Sequence, residues 1–174
     1  MNDLNSDEQQ AESRMGRFML YGGWLMALAV LTLIFSDFEI SRNNPNRDLP
    51  TSGEAEVVLK KNRYGHYVFT GTANGKEVEF LLDTGATNVV FTEAQAEKLG
   101  LKKGTRYRTN TANGESWSYS TRVDVLTIGS IKLYDVQASI APNLEIEALL
   151  GMSALGDLDW SQSGDQLTIR RRQQ

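Results

Sequence analysis

Asp83 is the residue whose surroundings could do chemistry. It ends the apolar run Phe80-Leu81-Leu82 and opens Thr84-Gly85-Ala86-Thr87. A strand end is a stiff place to hold a reactive group. Gly85 lets the main chain come close enough for its amide to reach the carboxylate. Thr84 brings a hydroxyl that can bond to neighbouring main chain. A carboxyl group held in this way is suited to moving protons as a general acid or base. Asp-Thr-Gly is also ordinary turn chemistry, because Asp and Gly favour turns for local reasons. The apolar run before Asp83, and the second run Val89-Val90-Phe91 after it, favour the first reading over chance.

Composition removes several other chemistries. The chain has 174 residues, a net charge of −4, no cysteine and one histidine, His66. Its length suits one domain of ordinary size. Without cysteine there are no disulfides, thiolate metal sites or cysteine nucleophiles. A serine–histidine mechanism would have to run through His66, and a multi-histidine metal site is excluded. No metal-ligand spacing is visible, so neither a metal nor another cofactor is expected. The mild charge and the lack of a basic stripe point away from nucleic acid. Arg170-Arg171-Arg172 reads as a solvated end.

The elements around Asp83 follow in order. Residues 1–17 are polar and read as a disordered tail. From Phe18 to Phe35 the chain is apolar apart from Thr32. At about 1.5 Å rise per residue this run spans roughly 27 Å, close to the hydrocarbon thickness of a bilayer. No small-x-small cleavage site follows, so residues 18–36 read as an uncleaved transmembrane anchor. Arg14 and Arg17 precede it and Asp37 and Glu39 follow. By the positive-inside rule the N-terminus is cytoplasmic, with Arg42 and Arg47 counting against that orientation. The remainder then faces the extracytoplasmic side of the inner membrane, the periplasm of a Gram-negative cell. Residues 37–53, rich in Asn and Pro, read as a linker.

Residues 54–172 form the folded domain and read as mostly strands. Asn74-Gly75 marks a hairpin between His66–Gly71 and Glu77–Leu82. Thr92, with Gln95 three residues on, caps a short helix closed by Leu99-Gly100. Tyr107 to Tyr119 reads as a second hairpin around Asn113-Gly114. Val123–Ile128 and Ile131–Val136 are strands joined by Gly129-Ser130. A short helix begins at Met152, Asp157, Asp159 and Trp160 fall in a turn, and Gln166–Arg170 is a last strand. Trp117 and Tyr119 could line a cleft or belong to the core, and His66 reads as structural.

In this order the motifs resemble the retropepsin-like aspartic proteases, in particular their bacterial single-span, membrane-anchored branch. The residues that carry the resemblance are Asn62–Tyr67, Phe80–Thr87, the Thr92–Leu99 helix, Thr111–Gly114 and Ala148-Leu149-Leu150-Gly151-Met152-Ser153. The resemblance implies a mainly β fold: a single-lobe closed barrel with one short helix after the active-site loop. It implies that Asp83 is the catalytic acid, supported by Thr84, Gly85 and Ala86. Ala112, Asn113 and Gly114 would form a flap over bound peptide, and Leu149, Leu150 and Gly151 would brace the acid. The viral relatives carry an acidic residue where Thr87 stands, so no substrate preference carries over. The mechanism needs two carboxylates, and the chain holds a single Asp-Thr-Gly and no Asp-Ser-Gly. A second copy related by a two-fold axis would supply the other. The expected function is a membrane-anchored, homodimeric aspartic endopeptidase acting on extracytoplasmic protein or peptide. The alternative is a catalytically silent binding or assembly module of the cell envelope on the same barrel.

Overall fold

The computed structural model describes residues 4–53, 56–111, 114–142, 144 and 146–172. The chain divides into two compact units, Met1–Ser41 and Arg42–Gln174. The first is a helix, α1, which runs Leu4–Asn43. Its stretch Met19–Asn43 is long and apolar enough to cross a membrane. Its large apolar side chains are exposed, among them Met19, Trp24, Leu33 and Phe35.

The helix extends beyond the expected anchor at both ends. It starts inside the segment expected to be a disordered tail. Glu, Gln, Ala, Arg and Met in that segment are good helix formers, and a helix nucleated by the apolar run propagates into them at little cost. It ends inside the expected linker. The residues that follow are not a free spacer either: Asn44 and Asn46 are buried in the second unit. The Asn46 amide donates to Lys60 O at 2.9 Å and Val68 O at 2.7 Å, and its Oδ1 accepts from Lys60 N at 2.6 Å. Asn44 Nδ2 donates to Thr70 Oγ1 at 3.1 Å and Glu79 Oε2 at 3.0 Å. The compact unit therefore begins about a dozen residues before the expected start at residue 54. An Asn46→Ala change removes three hydrogen bonds to the main chain of Lys60 and Val68. It is expected to destabilise the protein by about 2 kcal/mol, read by chemical denaturation.

The second unit is built from ten strands and two short helices. The strands are β1 (Glu56–Lys60), β2 (Val68–Ala73), β3 (Lys76–Leu82), β4 (Val89–Thr92), β5 (Arg106–Thr111), β6 (Gly114–Ile128), β7 (Ile131–Ala141), β8 (Ala148–Leu150), β9 (Leu158–Ser163) and β10 (Gln166–Arg171). The helices are α2 (Glu93–Leu99) and α3 (Met152–Leu155). Strands β2-β3-β8-β4-β7-β6 pair in that order, and β6 returns to β2 through Thr72↔Thr127 and Ala73↔Leu126. The result is a closed six-stranded barrel, with β5 attached to the outer edge of β6. Closure leaves no open edge in the ring. A separate sheet has the order β1-β10-β9.

Local chemistry explains most boundaries. Asn74 and Gly75 both have positive φ, 50° and 78°, as a two-residue hairpin turn of the type I′ kind requires. Thr92 Oγ1 accepts from Gln95 N at 3.1 Å, and Gly100 closes α2. Alternation places Val78 and Phe80 inside and Glu77 and Glu79 outside on β3. Phe80 stacks on Phe69 at 5.5 Å between ring centroids and meets Phe91 edge-on at 6.0 Å. These three rings, all fully buried, form the centre of the core directly beneath the segment that carries Asp83.

Two expectations for the strands are corrected. The hairpin arm ending at Tyr119 and the strand at Val123–Ile128 are one continuous strand, β6. Asp159 and Trp160 lie in β9, not in a turn, where Trp160 pairs with Ile169. The pattern of β9 hides it, because only its first residue, Leu158, is buried.

Candidate active site

Two strands deliver Asp83. Strand β3 carries it at its end, and β8 runs parallel alongside, with Leu82 beside Leu150. Asp83 N donates to Leu150 O at 3.0 Å, and Leu82 N donates to Tyr67 O at 3.0 Å. The chain then turns, with Ala86 N donating to Asp83 O at 3.2 Å. Gly85 N donates to Asp83 Oδ1 at 2.8 Å. The carboxylate is half-buried, while Thr84 and Gly85 are exposed. The Thr84 hydroxyl has no hydrogen-bond partner among the described residues, which leaves it available to a group from outside.

The residues expected to brace the acid lie against its loop. Met152 N donates to Ala86 O at 2.8 Å and Ser153 N donates to Thr87 O at 2.9 Å. Both amides belong to the first turn of α3, so the loop is held by main-chain groups that the helix start leaves unpaired. Gly151 sits where the two segments cross. A Cβ there would lie 2.6 Å from Ala86 O and closer still to Asn88 O.

Sequence reasoning missed a set of polar side chains behind and beside the loop. Ser153 Oγ accepts from Val89 N at 2.9 Å and donates to Gln137 O at 2.7 Å, tying α3 to β4 and β7. Asn88 Nδ2 donates to Ser139 Oγ at 3.0 Å, and Ser139 Oγ lies 2.6 Å from Tyr107 Oη. These residues come from β7, β5 and the loop end. Only the position of Asn88, next to the loop, could have drawn notice in the sequence.

Asp83 faces a groove of about 920 Å³ lined by the loop, by β5 and by the start of β6. Gly114, one of the three expected flap residues, lines it together with Glu115, and Gly114 has φ 100°. Ala112 and Asn113, the other two expected flap residues, lie outside the described residues. Leu149 lines the groove, whereas Leu150 is fully buried below it. Trp117 belongs to neither the core nor the groove. It is 45% exposed, with the Arg106 guanidinium 4.1 Å from its ring centroid and Arg108 on the same ring at 5.9 Å. Tyr119 is half-buried outside the groove lining, under the Lys103 ammonium at 4.8 Å. A hydrogen bond from Lys103 to Glu93 holds that ammonium above its usual range. His66 is exposed, and its main chain closes the Asn62–His66 turn. Among the described residues no group of three or more His, Asp or Glu side chains converges as metal ligands would.

Tyr67 supports the acid from beneath through its main chain, but its own hydroxyl is buried without a partner among the described residues. Burial pushes the phenol pKa up, and the charge of Asp165 adds to the effect. Because the folded-state pKa is raised, the fold penalises the ionised phenol, and stability falls as pH rises from the ordinary pKa through the folded value, in alkaline solution. Tyr67→Phe removes an unsatisfied polar atom. It is expected to raise stability by about 1 kcal/mol in denaturant titrations at neutral pH.

Comparison with known proteins places this geometry. A family model described as gag-polyprotein putative aspartyl protease matches residues 69–157. An uncharacterized protein in the cobV 5′ region of Sinorhizobium sp is 35% identical over 125 residues, 69% of this chain and 54% of that protein. An uncharacterized protein of Rickettsia prowazekii (strain Madrid E) is 33% identical over 104 residues, 58% of this chain and 44% of that protein. The chain spans about half the length of these curated relatives. Among solved structures, a retropepsin-like aspartic protease from Rickettsia conorii aligns with a TM-score of 0.57 at 29% identity. That alignment covers 67% of this chain and 90% of the other. The barrel is of the retropepsin-like kind.

Proposed function

This chain belongs to the retropepsin-like aspartyl protease family, and from that premise we propose that it is a membrane-anchored aspartic endopeptidase. It acts as a homodimer with one Asp-Thr-Gly loop per chain and hydrolyses peptide bonds of extracytoplasmic proteins. The observation that carries the reading is the setting of Asp83: a half-buried carboxylate on a stiff strand end, hydrogen-bonded by Gly85 N at 2.8 Å, facing a groove of peptide dimensions.

In this reading Asp83 is the catalytic residue and works with its counterpart from a second copy. Two like charges so close cannot both ionise, so the pair holds one proton, as is general for aspartic proteases. The ionised carboxylate takes a proton from a water held between the two. The protonated one donates to the peptide carbonyl as the water oxygen adds to the carbon. The tetrahedral intermediate then collapses, the C–N bond breaks and the leaving nitrogen receives a proton. Thr84, exposed and without a partner, would bond across the two-fold axis. Gly85 holds one carboxylate oxygen in place, and Ala86 anchors the loop to α3. Gly114, with Ala112 and Asn113, would close over the peptide. Leu149, Leu150 and Gly151 fix the loop from below.

The apolar helix supports single-pass anchoring; in this proposal it crosses the inner membrane with the N-terminus cytoplasmic and the barrel periplasmic, following the arginines before it. Chains held in one membrane meet at a raised effective concentration, which favours pairing. The test is cleavage of a peptide library by the full-length protein in lipid nanodiscs from about pH 3 to about pH 7, where carboxylate pairs function. Cleavage is expected. None across that range would favour a catalytically silent envelope module.

A further inference from the structure

We propose that Asn88, Ser139 and Tyr107 form a subsite in the Asp83 groove that takes a primary carboxamide side chain, Asn or Gln, of the bound peptide. The inference rests on the peptidase reading above and names the side chain that the groove selects.

All three residues line the groove. They reach it from separate elements: Asn88 from the end of the acid's loop, Tyr107 from β5 and Ser139 from β7. The rest of the lining is mixed, with apolar Leu81, Val90 and Leu149 and polar Arg108, Thr109 and Ser118. Ser139 is 3% exposed and fixed, so the group is built rather than a loose surface set.

The hydrogen-bond inventory shows what the spot offers. Asn88 Nδ2 donates to Ser139 Oγ at 3.0 Å and reaches Tyr107 Oη at 3.5 Å. Tyr107 Oη and Ser139 Oγ, 2.6 Å apart, share one hydrogen. Each hydroxyl carries one hydrogen, so whichever donates, the other hydroxyl hydrogen is left over. Asn88 Oδ1 has no partner among the described residues. The cluster thus has one donor and one acceptor left over, and the donor faces the groove when Ser139 donates to Tyr107 Oη. A primary carboxamide is their complement, with C=O for the hydroxyl and N–H for Asn88 Oδ1. A carboxylate would satisfy the hydroxyl but set its lone pairs against Oδ1. An aliphatic side chain would pair with neither group, and such mismatches give discrimination.

The test uses full-length protein in nanodiscs and a positional-scanning library of decapeptides. Wild type is expected to favour Gln or Asn over Leu by about tenfold in kcat/KM at one position near the scissile bond. Tyr107→Phe should lower that Gln-to-Leu ratio about fivefold, the size of one hydrogen bond. Asn88→Asp should turn the preference toward Lys and Arg by placing a carboxylate in the spot. Cleavage with no amide preference, or a Tyr107→Phe loss equal for Gln and Leu peptides, would overturn the subsite and leave the peptidase reading standing. Binding of the same peptides to Asp83→Asn protein separates the two claims. If wild type cleaves nothing but Gln peptides bind tighter than Leu peptides, the subsite holds and the catalytic reading falls. Equal binding would overturn the subsite.

Discussion

Asp83→Asn is expected to abolish peptide cleavage, lowering kcat/KM by at least about a thousandfold, while the protein stays folded. The size follows from the role: a group that moves protons in the transition state contributes about two to four orders of magnitude. Here its loss also removes one member of a pair that acts as a unit, so little residual activity remains. The fold is expected to survive because Asn keeps an oxygen where Asp83 Oδ1 accepts from Gly85 N. The main-chain bond from Asp83 N to Leu150 O does not involve the side chain. A fluorogenic peptide assay gives the first quantity and thermal unfolding the second. Cleavage above about a tenth of wild type in a folded Asp83→Asn protein would contradict the assignment.

Gly151→Ala is expected to cost about 3 kcal/mol of stability and, where the protein still folds, to reduce activity about a hundredfold. The backbone at Gly151 is ordinary extended chain, φ −96° and ψ −172°, so an alanine meets no strain in its own torsions. The penalty comes from space alone. The new Cβ would be driven into the carbonyls of Ala86 and Asn88. Neither can yield locally, because Ala86 O accepts from Met152 N and Asn88 belongs to the polar cluster with Ser139. Relief must come from moving the loop away from α3, which displaces Asp83. Denaturant titration and kcat/KM together read the effect. A fully stable, fully active Gly151→Ala protein would show that the close crossing does not constrain the acid.

How much of this could be read beforehand depends on the range of the interaction. Asn74-Gly75, Thr92 with Gln95, and Gly100 act within a few residues, and each produced the element its chemistry requires. The acid's loop was equally legible, because strand, acid and glycine are contiguous. The apolar helix was clear from one unbroken apolar run, but not its extension to Leu4 and Asn43, since propagation along a helix depends on neighbours rather than on a marker. Strand β9 was hidden because Ser161, Gln162 and Ser163 face solvent and carry no alternation. Asn44 and Asn46 looked like linker residues, as asparagines beside a proline usually do. Their burial comes from partners 14 to 35 positions away. The groove's polar cluster joins residues 19 to 51 positions apart, a closeness that only barrel closure creates.

The central claim is that one acid per chain makes two chains per site. Titrating Asp83→Asn protein into a fixed amount of wild type, co-reconstituted so that chains exchange, measures it directly. Random pairing into fully formed dimers predicts that activity falls to about half at equal amounts and to about a tenth at a ninefold excess of the variant, as inactive mixed pairs replace active ones. Activity that stays constant at every ratio would show that each chain works alone, and the account would be wrong.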